Sequence, residues 1–101
     1  MAKMTGVGGV ISAAHFSQDG KLHGHTWHVV VWFHANGDVV LDAVRKKHYL
    51  DTYLKRFDHD VLPEDYAWAE ALAEKIGTDM RAAAVDVSRP AEGFYAKWVR
   101  E

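Results

Sequence analysis

The sequence contains 101 residues, of which 49% are hydrophobic and 26% are charged, as is ordinary for a globular protein. Its length predicts a single domain over residues 1–101, small enough to gain stability from assembling into an oligomer. A net charge of −2 argues against nucleic acid or an anionic membrane surface as a partner. Seven histidines are the one unusual feature of the composition.

The sequence contains no cysteine, so a metal site has to be built from histidines or carboxylates. Residues 1–10 are too weakly apolar for a signal peptide, and no apolar run approaches the ~20 residues that span a bilayer. We therefore expect a cytoplasmic protein.

The first part of the chain predicts extended structure. Residues 7–15 read as a strand, and residues 16–22, which carry Ser, Gln, Asp and Gly, read as a loop. The strongest strand prediction is 25–35, because it is rich in β-branched and aromatic residues. Residues 36–38 (Asn-Gly-Asp) are a turn signal, after which residues 39–41 are expected to continue as a short strand.

The second part predicts two helices and then two strands. Apolar residues at helical spacing predict a helix over 43–57, and Pro63 then breaks the chain. A second helix is expected to begin with Asp65 as its N-cap. Its buried stripe consists of Ala69, Leu72, Ala73, Ile76 and Met80. Residues 83–88 and 94–99 read as strands, which gives an α+β domain: a four-stranded antiparallel sheet with two helices inserted between strands 2 and 3 and covering one face.

Three histidines form the most informative motif. His23 and His25 are two residues apart, so on a strand both point to the same side, roughly 6.5 Å from each other. A hairpin closed by the 16–22 loop would bring His15 beside them. Three neutral imidazoles without a fourth protein ligand are typical of a catalytic zinc site. The alternative is that they are only polar residues of a strand, an interpretation that suits the other isolated histidines better: His28, His34 and His48.

Four segments in order resemble the signature of the 6-pyruvoyl- and 6-carboxy-tetrahydropterin synthases. They are Ile11-Ser12-Ala13-Ala14-His15, Leu22-His23-Gly24-His25, Phe57-Asp58-His59 with Leu62, and Asp42 at the family's usual distance before Asp58. The predicted strand order also matches the tunnelling fold of that family. The chain is thus similar to a divergent member, and the resemblance covers nearly all of it.

The resemblance implies a zinc ion held by His15, His23 and His25, with the metal binding the side-chain oxygens of a dihydropterin and acting as a Lewis acid. It implies an acid/base relay made by Asp58 and His59, in which the carboxylate fixes the tautomer of the ring and raises its basicity. The alternative for that pair is a helix end that caps backbone groups. The resemblance further implies a homo-oligomer, a hexamer of two stacked trimers or a single trimer.

One departure from the family lies at the position of its catalytic cysteine, where this chain has Asp19. A thiolate mechanism is excluded, but an oxygen acid can still transfer protons. The ordinary pKa of an aspartate is ~3.9, and a nearby zinc ion would lower it further, so Asp19 would need burial in an apolar pocket to act as a base near neutral pH. The alternative, which carries equal weight, is a turn residue, because Asp-Gly is a common turn dipeptide.

A second departure lies at the family's substrate anchor, a glutamate whose position Arg89 takes here. An arginine offers only donors, so it cannot accept hydrogen bonds from a pterin, and it suits a carboxylate, phosphate or enolate instead. Glu92 is the other acidic candidate, but its short distance to Tyr95 argues against it. Glu70 matches a family glutamate and is expected to bind substrate.

These features predict a zinc-dependent lyase, isomerase or cyclase that acts by metal-assisted enolisation and proton transfer. Its substrate would be a small anionic or polyoxygenated molecule other than a standard pterin. Two alternatives remain. One is an enzyme that cleaves a dihydropterin side chain or has 6-carboxy- or 6-pyruvoyl-tetrahydropterin synthase activity. The other is a non-catalytic, zinc-stabilised oligomer that binds a ligand.

Overall fold

The computed structural model describes residues 3–35 and 39–101, which form an antiparallel sheet and two helices. The elements are, in chain order, β1 (Met4–Phe16), β2 (Leu22–His34), α1 (Val39–Leu54), α2 (Ala69–Met80), β3 (Ala84–Arg89) and β4 (Phe94–Val99). The four strands are hydrogen-bonded in the order β1-β2-β3-β4. The predicted α+β class is confirmed. The turn predicted at residues 36–38 lies outside the described residues.

The two long strands β1 and β2 form a hairpin that is longer than predicted. Each has 13 residues, and their register runs from Met4 opposite His34 to Phe16 opposite Leu22. The connecting loop shrinks to five residues, 17–21, because the Ser17 N–H donates to the Lys21 carbonyl and Gly20 turns the chain at a φ of 80°. Glycine adopts this left-handed conformation without steric cost.

Side chains alternate across the sheet, and the odd-numbered positions of the hairpin face the helices. Ile11, Trp27, Val29 and Val31 are buried there against Leu50, Leu54, Leu72 and Ile76 of the two helices. Helix α1 packs on β1, and α2 packs on β3 and β4. Neither helix covers the even-numbered positions of the hairpin, which form the opposite face. Neither helix, within the described residues, is long and apolar enough to cross a membrane.

The strand expected at residues 39–41 is wrong, because α1 already begins at Val39. Two consecutive valines favour extended structure only weakly, and three residues cannot remain a strand without a partner in the sheet. Extending an existing helix by one residue adds one intrahelical hydrogen bond, so the helix prevails.

The N-cap predicted at Asp65 is also wrong. Asp65 lies in a short 3-10 helix, Glu64–Tyr66, whereas α2 begins at Ala69 after the extended residue Trp68. The cause is tertiary: Ala67 is buried, and its carbonyl oxygen lies 2.8 Å from Nδ1 of His15. A helix that started at Asp65 would use this carbonyl inside the helix instead.

Gly77 of α2 sets how closely the helix approaches the sheet. A Cβ atom placed at Gly77 would overlap the ring of Trp98 in β4, whereas a Cβ at Gly24 in β2 would meet nothing within 4 Å. The close approach therefore depends on the missing side chain.

We expect Gly77→Ala to lower the free energy of unfolding by about 1–3 kcal/mol, the usual cost of overpacking, even though alanine favours helix more than glycine does. Urea unfolding followed by circular dichroism measures this. Gly24→Ala is the control and should change the stability little. A Gly77→Ala variant as stable as the wild type would show that Trp98 can move aside freely.

Candidate functional site

The three histidines predicted to act together do lie together, at the loop end of the hairpin on its helix-covered face. His15 is opposite His23 in the register, and His25 is opposite Ala13. The ring centroids of His15 and His25 are 4.9 Å apart, and those of His23 and His25 are 6.2 Å apart. The period-two alternation of the strands thus produces the cluster.

His15 is buried, and its ring is fixed by the backbone. Its Nδ1 lies 2.8 Å from the Ala67 carbonyl oxygen. Because a carbonyl oxygen only accepts hydrogen bonds, Nδ1 must carry the proton, and in the neutral ring Nε2 then has the free lone pair. The Trp68 ring packs against His15 with centroids 5.1 Å apart. The chain between the 3-10 helix and α2 therefore sets both the tautomer and the surroundings of His15.

The Nδ1 atom of His25 faces an acidic side chain. It lies 3.1 Å from Oε1 of Glu92, and only 14% of the His25 side chain is exposed. This contact is an ion pair rather than a hydrogen bond, and the negative charge of the carboxylate favours the proton on Nδ1, which leaves Nε2 free. Burial, assisted by the nearby Arg89 guanidinium, lowers the pKa of His25 below its ordinary value. The lowered pKa favours the neutral ring, the state that a metal ligand requires.

The donor chemistry of this cluster fits zinc, although the rings are not yet gathered around one point. Among the side chains that the structure describes, those of residues 3–35 and 43–101, no three from His, Asp or Glu are placed to hold a metal ion as they stand. However, His15 donates Nδ1–H to the Ala67 carbonyl oxygen, and His25 has its Nδ1 3.1 Å from the Glu92 carboxylate. Metal-binding histidines usually have their second ring nitrogen next to an oxygen in this way. His23 is exposed, with its ring parallel to that of His25.

Arg89 lies beside the histidines, between two aromatic rings. Its guanidinium carbon is 5.1 Å from the Trp27 ring centroid and 5.0 Å from that of Phe94. Nε of Arg89 is buried and makes no hydrogen bond, and Oε2 of Glu92 is 3.4 Å away, outside bonding geometry. An arginine held in this way by aromatic faces keeps donors available for an anion.

A cavity of about 450 Å³ lies next to His15, where a substrate could be accommodated. Its walls combine aromatic side chains with polar ones: Phe16, Ser17, Gln18, Leu62, Glu64, Ala67 and Trp68. Ala67 and Trp68 link it to the histidine cluster, because both contact His15.

Asp19 lies in the hairpin loop, and its contacts are those of a turn residue. Its carboxylate accepts hydrogen bonds from the Ser17 hydroxyl and from the Lys21 N–H, the latter at 3.2 Å. These bonds, the Ser17 hydroxyl first, lower the pKa of Asp19, and nearby His23 adds a smaller effect in the same direction. A carboxylate stabilised in its charged form is a weaker base, so the geometry favours the turn interpretation that the sequence left open.

Asp58 and His59 form the predicted pair, but they lie along the outer edge of β1. Oδ2 of Asp58 is 3.0 Å from Nδ1 of His59, and Oδ1 accepts the Ser12 N–H at 2.8 Å. The bond from Ser12 is the main reason that the pKa of Asp58 is lowered. The His59 backbone is left-handed, at a φ of 61°, and its N–H donates to the Ser12 carbonyl.

The Asp58–His59 pair makes no contact with the histidine cluster of the same chain. His59 lines a cavity together with Ser12, Ala13, Ala14 and Gly24. Within the described residues it has no hydrogen bond, ion pair or ring contact with His15, His23 or His25, and 81% of its side chain is exposed.

Two further acidic residues, Glu70 and Glu92, lie in different surroundings. Glu70 is exposed in the first turn of α2, and within the described residues it makes no hydrogen bond or ion pair to the histidine cluster. Glu92, by contrast, contacts both His25 and Arg89. Sequence reasoning set Glu92 aside. Its three-residue spacing from Arg89, next to Pro90 and Gly93, was the signal that could have found it, since such a turn brings positions i and i+3 together.

Comparison with known protein families gives one match. The family model for 6-pyruvoyl tetrahydropterin synthase matches residues 9–94, a range that contains the three histidines, the Asp58–His59 pair and Arg89. No protein of curated function is significantly similar to the sequence.

Proposed function

This chain belongs to the 6-pyruvoyl tetrahydropterin synthase family, and we propose that it is a zinc-dependent lyase, isomerase or cyclase with a changed substrate. Family membership suggests a pterin-related, lyase-type function. The observation that carries the change of substrate is Arg89, buried between Trp27 and Phe94 beside His25. Donors at this position favour a small anionic or polyoxygenated substrate over a standard pterin.

His15, His23 and His25 would hold the metal, with Nε2 as the ligand atom of His15 and His25. Bound zinc would supply Lewis acidity, which makes C–H and O–H groups next to a carbonyl more acidic. Arg89 would bind the acidic group of the substrate and orient it towards the histidines. Trp68 and Phe16 would exclude water from one side of the substrate, because both line the adjoining cavity.

Proton transfer is assigned to Asp58 and His59 rather than to Asp19. Asp58 orients the His59 ring through Nδ1 and leaves Nε2 to accept or donate a proton. Asp19 is held by Ser17 and Lys21, which favours a role in closing the loop. Since His59 has no contact with the histidine cluster of its own chain among the described residues, this assignment calls for a second copy of the chain that brings its His59 near the site.

A second candidate function keeps a dihydropterin as the substrate, and Glu92 is the observation that favours it. Glu92 supplies the acceptor that Arg89 lacks, and its carboxylate is 3.1 Å from His25. If it released His25 and Arg89, Glu92 could accept hydrogen bonds from the amino-pyrimidine edge of a pterin.

We further propose that the chain forms a homo-oligomer through the sheet face that the helices leave uncovered. Val10, Tyr95 and Val99 lie on this face, and their side chains are 55%, 72% and 56% exposed.

A third candidate, a non-catalytic zinc-stabilised oligomer, gains no support from Arg89, since a purely structural site has no use for an anion-binding group beside the metal.

Zinc should bind with one ion per chain, as in other sites of this ligand type. His23→Ala should abolish most of it, whereas His28→Ala, on the opposite face of β2, should retain it. Elemental analysis of protein purified without added metal measures the content. Equal zinc in the wild type and His23→Ala, or none in the wild type, would contradict the proposed site.

Dihydroneopterin triphosphate should not be converted to a pyruvoyl- or carboxy-pterin, and 3-phosphoglycerate, a small polyoxygenated anion, should bind. Arg89→Gln should weaken that binding by about 10- to 100-fold, the worth of one hydrogen bond to a charged group. Product analysis and calorimetry are the measurements. Arg81→Gln, at the far end of α2, is the matched control. Efficient pterin turnover would favour the second candidate instead.

The protein should sediment as a trimer or hexamer at micromolar concentration. Val10→Lys should dissociate it, because a charge on the uncovered face opposes its burial. The control is Val44→Lys, which changes a valine of α1 that is 64% exposed. Analytical ultracentrifugation distinguishes the outcomes, and a wild-type monomer would remove both the assembly and the assignment of His59.

A further inference from the structure

Glu92 occupies a position between the metal-binding cluster and the anion-binding arginine. It ends a short 3-10 helix, Pro90–Glu92, and Gly93 then turns the chain into β4 at a φ of 78°. Its two carboxylate oxygens point to different groups: Oε1 is 3.1 Å from Nδ1 of His25, and Oε2 is 3.4 Å from Nε of Arg89. One side chain thus contacts both groups on which the proposed function depends.

We propose that Glu92 is a positioning residue that holds His25 in the Nδ1–H tautomer and ties it to Arg89. The proposal rests on the proposed function, because it assigns Glu92 a role towards the same metal site. The carboxylate 3.1 Å from Nδ1 favours the proton on that nitrogen by its charge, which leaves Nε2 as the free lone pair of the neutral ring, and the contact also restricts rotation of the ring. His25 is thereby prepared to ligate before any metal arrives.

Glu92 also has an electrostatic role between the arginine and the metal ligand. The Arg89 guanidinium and a divalent cation on His25 would repel each other across a short distance in a partly buried site. Glu92 places a negative charge that contacts the arginine and the metal ligand at once. The arginine can therefore stay close enough to bind an anionic substrate without weakening the metal site.

A surface ion pair would not have these properties. Glu92 is 41% exposed, but the two groups that it contacts are largely buried, with exposures of 14% for His25 and 16% for Arg89. An exposed pair typically contributes little, whereas removal of a partner from a largely buried polar group leaves that group without the charge that offsets its burial. Removal of the Glu92 side chain should therefore change the tautomer and metal affinity of His25 more than it changes the free energy of unfolding.

The first measurement is zinc affinity of the full chain, by competition with a chromophoric chelator and with zinc alone as the probe. Glu92→Ala should bind zinc about 10- to 100-fold more weakly, as is typical when the partner of a ligating histidine is removed. Glu92→Gln should lose less, because its carbonyl oxygen can still accept Nδ1–H. Glu74→Gln, an exposed position of α2, is the matched control and should leave the affinity unchanged.

The second measurement reads the tautomer directly in metal-free protein, by long-range ¹H–¹⁵N correlation of the imidazole nitrogens. His25 should be in the Nδ1–H form in the wild type and should lose that preference in Glu92→Ala. His15 is the internal control, because the Ala67 carbonyl holds its Nδ1–H in every variant. A general loss of structure would change both histidines, whereas the proposed role changes His25 alone.

A His25 tautomer that is the same in Glu92→Ala as in the wild type would overturn the proposal, and so would a zinc affinity within twofold of the wild type. Loss of pterin binding in Glu92→Ala at unchanged zinc affinity would also overturn it and would make Glu92 the substrate anchor. If the wild type binds no zinc, the proposed function fails, and the tautomer measurement then decides the role of Glu92 alone.

Discussion

The pleat of the β1–β2 hairpin is the constraint on which the site depends. Because successive side chains of a strand alternate between faces, a slip of β2 by one residue would carry His23 and His25 to the uncovered side, away from His15 on β1. The buried residues Trp27, Val29 and Val31 prevent such a slip, since they would enter solvent with the histidines. The same apolar side chains that stabilise the sheet therefore fix the position of the candidate metal ligands.

The hairpin and its histidines could be predicted from the sequence because both follow from a period of two. The errors arose where tertiary contacts prevail over local preference. Residues 39–41 have β propensity but no strand partner, and Asp65 is a good cap at a place where the Ala67 carbonyl is needed by His15. Glu92 was set aside for its short distance to Tyr95, and the 3-10 turn Pro90–Glu92, which brings it beside Arg89 and His25, is not visible in that spacing.

Two distant parts of the chain prepare the histidines in the same way. The Ala67 carbonyl reaches His15 from the segment before α2, and Glu92 reaches His25 from the connection between β3 and β4. Neither group would be near its ring in the unfolded chain, so the surroundings of both rings are a product of folding. A change in helix packing, as at Gly77, can therefore alter the candidate metal site without touching one of its histidines.

Residues 59–62 cover part of the outer edge of β1, so this edge of the sheet differs from the β4 edge. Ser12 and Ala14 give their outward hydrogen-bonding groups to His59, Asp60 and Leu62, with a parallel bridge between Ala14 and Val61. A strand that joins this border has only residues 4–10 left to pair with. If the β1 edge of one copy paired with the β4 edge of the next, the contact would be head-to-tail. The rotation from one copy to the next would then decide between a closed ring and an open fibre.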